Sequence, residues 1–201
     1  MENQVWIALE DGHCEPLNIP AFEETQHVYR LYRFLTDLED ILTTTADDFA
    51  RLQAIAPLVQ KLLISSYWLQ MEYREPSEQG WAVNFLYREH QFPLTVQMVT
   101  WAPRQKSTIH NHATWGVVAL IGGQEKNTLW RRDPSPEQPH RIQKTEEKVL
   151  QPGDIVTFMP GAIHRVEPVG DEMTVSFNLY GVTDYSQRYQ FDTVGQTAQK
   201  F

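Results

Sequence analysis

Cysteine is almost missing from these 201 residues, and Cys14 stands alone. An intramolecular disulfide is excluded, and so is a zinc site built from thiolates, so any metal must be held by nitrogen or oxygen. Long apolar runs are missing too. No stretch approaches the length that crosses a bilayer, and Met1-Glu2-Asn3-Gln4-Val5-Trp6 lacks a basic region followed by an apolar one. Basic runs are also absent: the formal charge is −9 and the lysines and arginines are scattered, which opposes binding to phosphate backbones. These absences predict a cytoplasmic protein with neither nucleic acid nor membrane as partner. A chain that is 41% apolar and 21% charged, at this length, is expected to build one sizeable core.

Two kinds of pattern follow one another along the chain. Residues 1–75 read as a helical extension. Val28, Leu31, Tyr32, Phe34, Leu35, Leu38 and Leu42 recur at three- and four-residue steps within a segment from Phe22 to Leu42. A second helix is predicted from a capping-box-like start at Thr45-Ala46-Asp47-Asp48, with its apolar stripe on Phe49, Leu52, Ile55, Val59, Leu62 and Leu63 and a kink or restart at Pro57. From Gly80 the pattern changes to short runs bounded by turns: 81–87, 94–101, 116–121, 128–132, 155–159, 164–169 and 173–180. That spacing predicts a mostly β, small antiparallel sandwich or barrel over 80–192, with the helices on one outer face and a loosely held tail over 193–201. The whole is expected to be one domain.

Histidines carry the chemistry. His110 and His112 flank Asn111, and side chains two apart on a strand leave the same face roughly 6–7 Å apart, within reach of one ion. A later strand signal runs to Met159 and turns at Pro160-Gly161, and His164 follows. The three imidazoles read as one metal site. His13, His27, His90 and His140 have no partner at ligand spacing and read as surface or structural residues.

A His-x-His pair and a later Pro-Gly-x-x-His inside a small β-barrel resemble the cupin superfamily, whose double-stranded β-helix is the fold this implies. The usual glutamate ligand after the second histidine has no counterpart in Ala113-Thr114-Trp115-Gly116-Val117-Val118. A three-histidine site with an N-terminal helical extension is similar to the thiol dioxygenases, cysteine dioxygenase and 3-mercaptopropionate dioxygenase. His110-Asn111-His112-Ala113-Thr114-Trp115-Gly116 looks like the bacterial form, and Trp101 stands where the family closes its preceding strand. Val175-Ser176-Phe177-Asn178-Leu179-Tyr180-Gly181 resembles the family's Ser-x-His-x-Tyr-Gly strand, with Asn178 replacing the histidine of the relay. The alternation places Ser176, Asn178 and Tyr180 on one face.

The resemblance implies Fe(II) held by His110, His112 and His164, with Tyr180, Ser176 and Asn178 as catalytic residues. It also implies Arg188, Arg88, Asn84 and Trp115 around the substrate; Asn84 stands where cysteine dioxygenase has its carboxylate-binding arginine. The implied reaction oxidises a small thiol carboxylate, cysteine or 3-mercaptopropionate, to its sulfinate with O2. Cys14 lies far from the position near Val117 where animal enzymes carry a cross-linking cysteine, so no cross-link is expected. Another metal-dependent cupin enzyme on a small organic acid and a non-catalytic ligand-binding cupin are the alternatives. The protein is expected as a monomer or homodimer.

Overall fold

The apolar steps read along the first part of the chain become two helices, α1 (Leu31–Thr44) and α2 (Asp48–Ser65), followed by a 3-10 turn at Tyr67–Met71. Residues 3–20 and 28–201 are described by the structure, a computed structural model. The predicted helix from Phe22 therefore lies partly outside the described residues, as does His27. Within them the helix begins at Leu31, and residues 28–30 are not helical. Asp47 caps α2, its side chain accepting from the Ala50 N–H at 2.8 Å, two positions beyond the expected capping threonine. Pro57 does not restart the helix. The α2 face carrying Leu52, Ile55, Ala56, Val59 and Leu62 is buried, and that packing outweighs the single backbone hydrogen bond that proline removes.

The start of the chain is not helical, correcting the reading of 1–75. Val5–Ala8 (β1) and Cys14–Pro16 (β2) are strands. Then come β3 (Trp81–Arg88), β4 (Leu94–Trp101), β5 (Ile109–Asn111), β6 (Gly116–Gly122), β7 (Glu125–Arg132), β8 (Ile142–Leu150), β9 (Ile155–Phe158), β10 (Ile163–Pro168), β11 (Thr174–Gly181), β12 (Tyr189–Asp192) and β13 (Thr197–Lys200). The expected tail thus contains a strand, β13, paired with β12.

Among the described residues the strands form two sheets, ordered β2-β1-β9-β6-β11-β4-β3 and β13-β12-β5-β10-β7-β8. No strand of one pairs with a strand of the other, so the expected barrel is not closed by hydrogen bonds. Each sheet keeps its own edges, and side chains fill the space between. The pairing is antiparallel except between β1 and β9, which run parallel.

Alternation on the seven-stranded sheet divides the core. Its outer face presents Val96, Met98, Val117, Ala119, Phe177 and Leu179 to the helices, where Phe34 meets Phe177 edge-on with ring centroids 6.2 Å apart. Its inner face, turned to the second sheet, packs Val118, Leu120, Val156 and Phe158 against Leu129 and Ala162. Toward one end this filling gives way to a cavity of about 640 Å³.

Candidate metal centre

His110 lies on β5 directly opposite His164 on β10, and His112 follows just beyond the end of β5. Asn111 faces away, as expected: it donates to the Gln187 carbonyl at 3.0 Å and accepts from the Tyr189 N–H at 2.8 Å, pinning β5 to the neighbouring chain. Ala113 adopts φ +53°, the left-handed region that side chains rarely enter, and turns the chain away immediately after His112. The three rings stand with centroids 4.8, 4.9 and 5.0 Å apart, and their candidate ligand atoms all lie within 4.8 Å of one another.

All three are buried at the floor of the cavity. Burial pushes the His110 imidazole down to about 4, against a weaker opposing effect of its bond to Thr108. His112 and His164 are held well below the usual imidazole range by burial first and by their neighbouring imidazoles second. The cluster is therefore neutral near pH 7.

The donor set fits a divalent metal. His164 Nδ1–H donates to Asn127 Oδ1 at 2.9 Å and His110 Nδ1–H to the Thr108 carbonyl at 3.0 Å, which leaves each Nε2 with a free lone pair. Nε2 of His112 and Nε2 of His164 are 2.9 Å apart. Two bare lone pairs at that separation repel, so a proton or a cation must lie between them. Two nitrogens each about 2.0–2.1 Å from one ion and at right angles lie about 3 Å apart, which matches this pair.

Around the floor, the β11 residues assemble as the alternation predicts. Tyr180 Oη donates to Asn178 Oδ1 at 2.9 Å, and Asn178 Nδ2 donates to Ser176 Oγ at 2.8 Å. The Tyr180 ring stacks on His112 with centroids 4.7 Å apart. Burial, with Glu125 adding to it, raises the Tyr180 phenol above its ordinary range, so it remains a hydrogen-bond donor.

Arg188 and Arg88 both line the cavity. The Arg188 guanidinium lies 4.4 Å from the Phe201 ring centroid, its Nε is buried without a partner, and it makes no ion pair among the described residues. That is the state of a cation prepared for an anionic ligand.

Two expected pocket residues lie elsewhere. Trp115 is buried in the cluster between sheet and helices with Arg51 over its ring, because it shares the parity of Val117 and Ala119 and not that of Val118. Asn84 donates to the Glu72 carbonyl at 2.7 Å on the opposite face of β3 from Val83 and Phe85, which line the cavity. Neither is placed to touch a ligand. Cys14 packs in the inter-sheet apolar cluster, where burial pushes its thiol up to about 12.

Three residues escaped the sequence reading. Asn127 and Glu125 sit one behind the other beneath His164, with Asn127 Nδ2 donating to Glu125 Oε1 at 3.2 Å. Their alternation mirrors that of the histidine pair, but the strand signal in the sequence starts only at Thr128, beyond both. Burial raises the Glu125 carboxyl to about 7, against the opposing bond from Asn127. Phe201, assigned to the tail, brings its ring within 5.8 Å of His110.

No protein-family model matches the chain. Among solved structures, it is similar to oxalate oxidase in complex with glycolate, with 15% identity over 52% of each chain and a TM-score of 0.41; it spans about half the length of that protein. It is likewise similar to an uncharacterised protein with a double-stranded β-helix domain from Klebsiella pneumoniae, with 18% identity over 57% of this chain and 83% of that one and a TM-score of 0.44. A cupin-2 domain from Rhodospirillum rubrum gives 16% identity over 55% and 67%, with a TM-score of 0.41.

Proposed function

We propose that the protein is an Fe(II)-dependent dioxygenase that converts a small thiol carboxylate, such as cysteine or 3-mercaptopropionate, to its sulfinate. The observation that carries this reading is the convergence of three neutral imidazoles, with two Nε2 atoms 2.9 Å apart, on the floor of a cavity that also holds an unpaired arginine. Three neutral ligands leave a divalent ion its full positive charge and open positions. Fe(II) bound there would supply redox chemistry with dioxygen and favour ionisation of a substrate thiol. Overall, RS⁻ and O2 combine to give RSO2⁻: two S–O bonds form, the O–O bond breaks, sulfur is oxidised and oxygen is reduced.

The side chains have separable tasks. Arg188 holds the substrate carboxylate beside the histidines, with Phe201 as a platform for its guanidinium. Tyr180 presents its hydroxyl at the cavity wall, fixed by Asn178 and Ser176. Asn178 cannot gain or lose a proton near neutral pH, so this chain of groups orients and does not conduct protons; the thiol proton leaves through the cavity. Asn127 fixes the tautomer of His164.

Glu125 favours a second reading. A buried cavity carboxyl that retains its proton up to about pH 7 suits acid–base work on a small organic acid, which would make the protein another metal-dependent enzyme. Metal analysis of untagged protein, followed by oxygen uptake by the iron-loaded form with cysteine, 3-mercaptopropionate and cysteamine, separates the two. Near-stoichiometric iron and uptake with the carboxylate-bearing thiols above that with cysteamine are expected. Bound metal without oxygen uptake on any thiol would transfer the assignment to the second reading or to a ligand-binding protein without turnover.

A further inference from the structure

We propose that the inner face of β3 and β4 is a subsite for an apolar branch of the substrate, so that the preferred substrate is a thiol acid bulkier than cysteine or 3-mercaptopropionate. The proposal rests on the thiol-carboxylate reading and narrows its substrate class.

Register carries the argument. Asn178 on β11 pairs with Gln97 on β4, and Gln97 pairs with Phe85 on β3; in the next inner-face row Ser176 pairs with Val99 and Val99 with Val83, and beyond it Thr174, Trp101 and Trp81 align. All but Thr174 line the one cavity that holds the histidines. Neighbouring strands are about 4.8 Å apart, so the wall runs roughly 10 Å from the Ser176–Asn178 row to Val83 and Phe85. A three-carbon thiol acid such as 3-mercaptopropionate is roughly 5 Å long by its bond lengths, about half the span of that wall. A cavity of about 640 Å³ falls within the range of roughly 300–1,000 Å³ that encloses much larger ligands.

Composition says what would fill the remainder. Polarity falls across the sheet, from Ser176 and Asn178 through Val99 and Gln97 to Val83 and Phe85. At the far edge Trp81 and Phe85 are 41% and 51% exposed, and Trp81 lies 6.3 Å from Trp101 between ring centroids. Large apolar side chains left half-exposed beside a polar floor within one cavity, Phe85 with the Arg88 guanidinium 5.4 Å from its ring centroid, suit a ligand with an anionic, metal-directed head and an apolar branch. The thiol and carboxylate stay near Arg188 and the histidines, and the branch lies along β4 and β3.

The test uses a series that keeps the head constant and lengthens the branch: 3-mercaptopropionate, 3-mercaptobutanoate and 3-mercaptohexanoate. Binding to the zinc-loaded full chain is measured by calorimetry, which needs no turnover, and KM is measured on the iron-loaded form. Dissociation constants are expected to fall about two- to fourfold for each added carbon. Phe85→Ala and Trp81→Ala should remove that gain and leave 3-mercaptopropionate binding unchanged. Equal or weakening affinity along the series, with 3-mercaptopropionate still bound, overturns the subsite and spares the thiol-acid reading; binding of no member overturns both. A gain that persists in the two variants overturns its placement on β3 and β4.

Discussion

Strand β11 carries two different proteins on its two faces. Val175, Phe177 and Leu179 point into the apolar layer beneath the helices, while Ser176, Asn178 and Tyr180 point into the cavity with the histidines. Adjacent residues 3.8 Å apart along the backbone thus answer to different demands: one set must exclude water, the other must hold oriented polar groups beside the histidine cluster. The lesson is that period-two alternation lets one strand specify stability and chemistry separately, provided that substitutions respect the face they fall on.

Breaking the outer face should have the largest effect. Phe177→Ala removes a fully enclosed ring and is expected to cost about 3–5 kcal/mol in chemical denaturation, with metal bound per folded molecule unchanged. Loss of metal from the folded fraction would show that the faces are not independent.

Glu125 tests the inner face through pH. Its carboxyl holds its proton up to about pH 7 in the fold but only to about 4.5 in the unfolded chain, so the folded state binds more protons between those values and stability falls as pH rises through that window. Below the window both states are protonated; above it the penalty is constant at about 3 kcal/mol. Metal-free Glu125→Gln should therefore match the parent near pH 4 and exceed its stability by up to that amount near pH 8. Denaturation midpoints that stay parallel across the range would refute the assignment.

Smaller effects should come from single polar contacts. Tyr180→Phe keeps the ring stacked on His112 and loses only the bond to Asn178, so stability should change by about 1 kcal/mol while turnover falls about tenfold. Phe201→Ala removes the platform beneath Arg188 and should raise KM for a thiol carboxylate about two- to fivefold, with kcat and metal content held. An unchanged KM would mean that Arg188 needs no such support.

How much of this was readable beforehand follows the same division. The His-x-His pair, the Pro-Gly turn before His164 and the Ser176–Asn178–Tyr180 face were legible because alternation and turn chemistry are local rules, and both hold here. Trp115 is placed at the pocket by likeness to the family segment, whereas its odd parity, opposite to that of His112 and Val118, sends it to the face beneath the helices. Asn84 was placed by likeness to a family position, and its own strand parity points it the other way. Strand β8 went unseen because Gln143-Lys144-Thr145-Glu146-Glu147-Lys148 has the composition of a solvated helix; as an edge strand paired only with β7, it needs no apolar alternation. Strand β1 is short and pairs in parallel with β9, about 150 residues on, information no local window contains, whereas β13 closes a local hairpin with β12 whose polar, exposed strands carry little apolar alternation.

The parallel pairing of β1 with β9 has a consequence during synthesis. The backbone N–H of Gln4 is bound by Asp154, a partner 150 residues away. At roughly 5–20 residues per second, a ribosome takes about 8–30 seconds to deliver that partner after the first strand has emerged. Meanwhile α1 and α2 have also left the tunnel, with Phe34, Leu52 and Val59 waiting for a sheet whose interior strand β11 carries Phe177 and is made still later. The nascent chain therefore spends a long interval as exposed greasy helices without a floor, and its yield in a cell should depend on elongation speed and on chaperones that shield such surfaces.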